Sequence, residues 1–172
     1  ASSTTSDLVA IRRAIDAAAH PALYVVDVVA SLAAAPFAMD ALRANVVMGA
    51  SQKGLMCPAG LAFVAADERA MEAARANTAP RFYWDWQRRR SDLPYRKFCG
   101  TLPMAHLAGL EASLGLIALE GLANLHARHA RLARAVHAAV GCWAEGGALR
   151  LFTQVPAARS VSVTAIEVSP GI

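Results

Sequence analysis

The chain has 172 residues, 56% hydrophobic and 17% charged, which supports one domain of ordinary size with a real core and excludes a disordered segment. Its formal charge is +4, yet the arginines are scattered among acidic residues and only Arg88-Arg89-Arg90 forms a run, which reads as a solvated loop, so no nucleic-acid partner is expected. The longest apolar stretches, Leu23 to Leu42 and Pro103 to Leu119, carry Asp27, Asp40, His106 and Glu111, so no membrane partner is expected either.

Ser6 and Asp7 read as a helix N-terminus, and Leu8, Ile11, Ile15 and Ala18 recur at helical spacing until His20-Pro21 stops the pattern. Leu23 to Val29 is a β-branched run that reads as a strand buried on both faces. A short helix near Met39 to Leu42 leads to a second strand at Val46 to Met48, and a third follows at Leu61 to Val64. This alternation predicts an α/β fold with a mostly parallel sheet, whose ligand sites lie beyond the carboxyl ends of the strands. Asp67 caps a helix to about Arg75, and Asn77 to Tyr95 is a long aromatic and arginine-rich connection, of the kind that is functional or faces a partner. From Pro103 the chain is helical, with Leu107, Leu110, Leu114, Ile117 and Leu119 on or near one face. Gly121 breaks that helix and a second runs from Leu122 to about Val140. Leu149 to Phe152 and Val161 to Val168 then alternate like strands of a smaller α+β unit. These features divide the chain at residues 1–121 and 122–172. Cys57, Cys99 and Cys142 have neither metal-site nor disulfide spacing, which fits a reducing, cytoplasmic compartment.

Lys53 stands out from this background. It is one of two lysines beside fifteen arginines, and it follows the strand-like run Asn45-Val46-Val47-Met48-Gly49. A desolvated lysine amine can lose its proton and condense with a carbonyl, whereas a guanidinium stays charged and cannot. A solvated lysine after a strand is the alternative. Asp27 is the second unusual residue, because a carboxylate between Val25-Val26 and Val28-Val29 is expected to be buried at a strand end and to need a cationic or donor partner. An arginine ion pair would satisfy it. A ligand with a basic ring nitrogen and a carbonyl would satisfy both residues, and pyridoxal phosphate has both groups.

The runs Val26-Asp27-Val28-Val29-Ala30-Ser31-Leu32, Gly49-Ala50-Ser51-Gln52-Lys53-Gly54-Leu55-Met56 and Pro58-Ala59-Gly60-Leu61 resemble the cofactor region of class V, fold-type I aminotransferases, most closely the serine–glyoxylate and alanine–glyoxylate enzymes. Pro80-Arg81-Phe82-Tyr83-Trp84-Asp85-Trp86, Glu120-Gly121-Leu122 and His126-Ala127-Arg128-His129 continue the likeness, which runs from Ser2 to Gly171. The resemblance implies the large-domain portion of that fold followed by the start of the small C-terminal domain, with pyridoxal 5'-phosphate as cofactor. It implies that Lys53 holds the cofactor aldehyde and relays a proton, that Asp27 pairs with the pyridine nitrogen, and that Gln52 touches the phosphate. It places Ser2, Ser3 and Thr4 beside the ring and Thr101 at the phosphate of the neighbouring subunit, hence a homodimer. The plain competitors are a loop amide for Gln52 and helix caps for Ser2 to Thr4 and for Thr101. Trp84 and Trp86 read as packing or interface aromatics, and His126 and His129 as surface histidines, so no metal is expected.

The implied reaction moves an amino group from serine or alanine to glyoxylate or pyruvate, with small amino acids and 2-oxo acids as substrates. The chain departs from the family at Phe98, where some relatives carry a tyrosine, at Asn45, where an aspartate is common, and at Ala59, where a second proline is usual. A cysteine desulfurase or related lyase is the alternative within the fold, but those carry a histidine where this chain has Gln52. A non-catalytic fragment or interaction domain is the alternative outside it, because the family's glycine-rich phosphate loop and carboxylate-binding arginine are expected before Ser2 and after Ile172. The opening Ala1 and the closing Ser169-Pro170-Gly171-Ile172 turn also suggest a piece of a longer protein.

Overall fold

A computed structural model describes residues 2–170. The turn expected at Ser169 to Ile172 therefore falls partly outside the described residues. In chain order the elements are α1 (Leu8–Ala17), β1 (Val25–Asp27), α2 (Met39–Leu42), β2 (Val46–Ala50), β3 (Ala62–Ala66) and α3 (Glu68–Ala76), then the short helices α4 (Trp86–Arg89) and α5 (Pro94–Lys97). The long helices α6 (Met104–Glu120) and α7 (Leu122–Ala144) follow, with β4 (Leu149–Leu151) and β5 (Ile166–Val168) closing the chain.

Local chemistry sets the helix starts. Asp7 and Asp67 are extended and accept the amides of Ala10 and Ala70, both at 2.8 Å, so each satisfies an orphan donor at the first turn of α1 and α3. Gly121 sits at φ +79, which ends α6 and starts α7 on a new axis at 88° to the old one. Glu120 and Arg128 bridge this elbow through two hydrogen bonds of 2.7 and 2.8 Å. Among the described residues no single helix is long and apolar enough to cross a membrane.

The main sheet has the order β1-β2-β3. β1 and β2 are parallel, with Asp27 opposite Met48, whereas β2 and β3 are antiparallel, with Gly49 opposite Phe63. The parallel run expected from the sequence therefore stops at β2. The segment between β2 and β3 contains no helix, and a parallel return needs a crossover long enough to carry the chain back to the starting edge. The strand expected to be buried on both faces also differs. Val26 and Val28 face the core at 4% and 2% exposure, while Val25 is 49% exposed, because the packing of α1 and α2 covers one face.

That core comprises Tyr24, Val26, Val28, Leu42, Ala44 and Val47, with Leu8 and Ile15 of α1 against it. Its floor is pinned by Asn45, whose Oδ1 accepts the Tyr24 amide at 2.7 Å and whose Nδ2 donates to Asp67 at 2.7 Å. A second core joins Ala33, Leu55, Ile117 and Leu125, so the start of α7 packs with the β1 and β2 loops. Along α6 the expected face is only partly used: Ile117 is buried and Leu110 packs behind it, but Leu114 and Leu119 are exposed. β4 and β5 form a separate antiparallel pair, and Thr4 joins Arg159 in an antiparallel bridge. The strand expected from Val161 begins only at Ile166, after a turn in which the Ser160 hydroxyl accepts the Ser162 amide at 3.2 Å.

Candidate active site

Parallel neighbours deliver their carboxyl ends to one edge, and here that edge carries the two residues with the most distinctive chemistry. Asp27 is the last residue of β1, and Lys53 stands three residues beyond the end of β2. The register runs Asp27 opposite Met48, and the next amide, Val28, donates to the Met48 carbonyl at 2.8 Å. After Asp27 the chain coils through residues 29–35, where the Leu32 amide donates to Val28 at 2.7 Å and Ala34 to Ser31 at 2.9 Å. After Lys53 the chain folds against that coil. A Cβ placed on Gly54 would lie 2.2 Å from the Leu32 carbonyl oxygen, and one on Gly49 would lie 2.9 Å from Leu32 Cδ2. Gly54 thus lets the Lys53 loop press on the Asp27 loop, a closeness to the Leu32 carbonyl that no larger residue permits.

Asp27 is exposed, contrary to the buried carboxylate expected from its valine neighbours. Alternation explains this, since Asp27 shares the outward face with Val25 while Val26 and Val28 point inward. One carboxylate oxygen accepts the Val29 amide at 2.7 Å, which fixes the side chain. Among the described residues Asp27 makes no ion pair, so the arginine partner considered above is absent. Gln52 and Lys53 are exposed at the same edge, and neither side chain makes a hydrogen bond among the described residues.

The loop bearing Lys53 is supported from α6. The Ser113 hydroxyl donates to the Leu55 carbonyl, and His106 Nε2 lies 3.1 Å from the Ala59 oxygen. Ser113 was legible only as a polar residue four before buried Ile117, on the packed face of an otherwise apolar helix. Ser51, wholly buried, carries no signal in the sequence beyond its place two residues before Lys53.

The other residues singled out from the sequence lie elsewhere. Ser2 and Thr4 are exposed and engage the far end of the chain: Thr153 Oγ1 donates to the Ser2 carbonyl at 2.8 Å and lies 3.1 Å from Thr4 Oγ1. Ser3 is buried 3.0 Å from the same hydroxyl. None of them caps α1, a task that falls to Asp7. Thr101 is exposed in the link before α6 and does not cap that helix, whose N-cap is Pro103 without a side-chain bond. Two open clefts of about 540 and 710 Å³ flank the 82–100 segment, one lined by Phe82, Arg88, Tyr95 and Arg96, the other by Trp84, Trp86, Arg89 and Val64. Neither Lys53 nor Asp27 lines them. Among the described residues no cluster of His, Cys, Asp or Glu is suited to a metal.

Known proteins resemble this chain over nearly its full length. It is 38% identical to the serine–glyoxylate aminotransferase of Methylorubrum extorquens, over 100% of the chain and 43% of that protein. It is 40% identical to the L-aspartate–glyoxylate aminotransferase of Paracoccus denitrificans, over 99% of the chain and 42% of that protein. The crystal structure of pyridoxamine-pyruvate aminotransferase from Mesorhizobium loti superposes with a TM-score of 0.82 at 28% identity, over 99% of the chain and 43% of that structure. The chain thus spans about two fifths of the length of the curated relatives it matches. The fold is that of the fold-type I enzymes dependent on pyridoxal phosphate. With residues 4–171 matching the family described as aminotransferase class-V, this chain belongs to the class V aminotransferases, whose cofactor is pyridoxal 5'-phosphate.

Proposed function

We propose that the protein is a transaminase that moves an amino group from serine or alanine to glyoxylate or pyruvate, with Lys53 as its catalytic amine. The observation that carries this reading is the contact of the Lys53 loop with the Asp27 loop at one parallel strand edge. Glyoxylate is the acceptor named for both curated relatives, while the donor named differs, serine in one and L-aspartate in the other.

The donor set fits pyridoxal phosphate. A carboxylate fixed by a backbone amide and without an ion pair can hold a protonated ring nitrogen, and an exposed amine at the same edge can take an aldehyde. Bound there, the cofactor supplies an electron sink for the charge left when a substrate proton departs. Lys53 would hold the cofactor and carry a proton at Nζ between the substrate carbon and the cofactor's aldehyde carbon. Asp27 would keep the ring nitrogen protonated. The family resemblance would give Gln52 an amide contact to the phosphate, Ser2 and Thr4, which here pack on Thr153, places beside the ring, and Thr101 the phosphate of a second copy. In this reading residues 1–121 are part of the cofactor-binding domain and 122–172 begin the small domain. The setting is cytoplasmic, supported by three unpaired cysteines, Cys57, Cys99 and Cys142.

The test is Lys53→Ala in the enzyme loaded with pyridoxal phosphate. Loss of the visible absorbance band, loss of borohydride-fixed cofactor and a fall in turnover by at least about 10³ are expected. An unchanged band with unchanged turnover refutes the assignment.

A further inference from the structure

The hydroxyl, amide and carbonyl of Ser51 all bond within the loop that carries Lys53. The side chain has no exposure. Its hydroxyl donates to the Pro58 carbonyl at 2.7 Å and accepts the Leu61 amide at 3.3 Å. Its own amide donates to the Leu61 carbonyl at 3.1 Å, and its carbonyl accepts the Cys57 amide at 3.0 Å. One residue therefore draws Cys57, Pro58 and Leu61 onto the end of β2, leaving Lys53 in the closed span between. Inside that span the Lys53 carbonyl accepts the Met56 amide at 2.9 Å, and Met56 is held at φ +56, a left-handed backbone that a side-chain-bearing residue adopts at a cost. The surrounding bonds must offset that cost.

We infer that Ser51 is a positioning residue for Lys53, its hydroxyl fixing the path of the loop and thereby the direction from which Nζ meets a bound aldehyde. This rests on the reading of Lys53 as the cofactor-bearing amine. A lysine stem is flexible over four carbons, so its aim depends on how firmly its backbone is held. Among the described residues the hydroxyl is the one side-chain tie between the two ends of the loop. Its removal leaves the Pro58 carbonyl and the buried Leu61 amide without that partner, and unpaired buried polar groups drive local opening.

The experiment compares Ser51→Ala, Ser51→Cys and Asn45→Ala. Cysteine keeps the shape with a weaker donor. Asn45 anchors the opposite end of the same strand, so its variant controls for lost stability away from Lys53. In the enzyme loaded with pyridoxal phosphate, Ser51→Ala is expected to move the pH midpoint of the visible band by about half a unit or more, and to speed cofactor release about tenfold. Ser51→Cys moves both in the same direction by less. Asn45→Ala lowers the thermal midpoint and moves neither. In the cofactor-free protein, amide exchange at Cys57 and Leu61 speeds up in Ser51→Ala while that of Tyr24 is retained. Where the alanine variant does not fold, the cysteine variant decides. An unmoved midpoint in the Ser51 variants, or an equal movement in Asn45→Ala, overturns the positioning role while leaving the band and its loss in Lys53→Ala intact. A band that survives Lys53→Ala overturns the underlying reading and the positioning role with it.

Discussion

At Gly54 an ordinary side chain has nowhere to go. The carbonyl oxygen of Leu32 occupies the position a Cβ would crowd, at 2.2 Å, and that atom is backbone, which cannot rotate aside. Gly54→Ala is therefore expected to destabilise the fold by about 1–3 kcal/mol through forced backbone shifts, seen as a lower urea midpoint with an unchanged slope. The same substitution pushes the Lys53 loop away from the Asp27 loop, so weaker cofactor retention should accompany it. The place of Lys53 just after a strand was legible, because the apolar run before it marks that strand. Gly54 was not, since its role depends on Leu32, twenty-two positions earlier in the chain and visible only in three dimensions. Asp27 shows the opposite limit: its neighbours implied burial, but alternation along β1 turned it outward.

Among the elements, helix starts and stops were readable because their causes are local. Asp7, Asp67 and Gly121 each act within a few residues of themselves. The direction of β3 was not readable, because an apolar run reads alike in parallel and antiparallel pairing. The elbow between α6 and α7 offers a test at this scale. Arg128 hydrogen-bonds the Glu120 carboxylate and holds its pKa below the ordinary range, with its charge adding to the effect. A carboxylate with a lowered folded-state pKa stabilises the fold above its unfolded value, and this contribution is lost as pH falls through the folded value. The loss of thermal stability below about pH 4.5 should thus be shallower in Glu120→Gln than in the parent, measured by circular dichroism melts across pH 3 to 7. Because both side chains are partly exposed, added salt should narrow the difference.

For the whole molecule, the aromatic and arginine-rich connection carries the clearest message. Phe82, Trp84 and Tyr95 are 68%, 72% and 53% exposed, and Arg88 and Arg89 stack on Phe82 and Tyr83. Under the proposed homodimer these exposed rings would be candidates for the shared surface. If Thr101 serves the neighbour's cofactor, mixing Lys53→Ala with Thr101→Ala subunits restores one intact site in each mixed dimer. Random reassortment then recovers about a quarter of the parent's sites, read as cofactor-dependent absorbance and turnover. Recovery no greater than the average of the two variants alone would place Thr101 at its own subunit's site.

The hydroxyl knot around Thr153 has a bearing on biosynthesis. Ser3 meets Thr153 across 150 positions of chain, and Thr4 pairs with Arg159. During translation Ser3 and Thr4 cannot find their seat until Thr153 and Arg159 have left the ribosome. Contacts separated by so much sequence form late and cost the most loop closure, so this seam should be among the last parts of the fold to set.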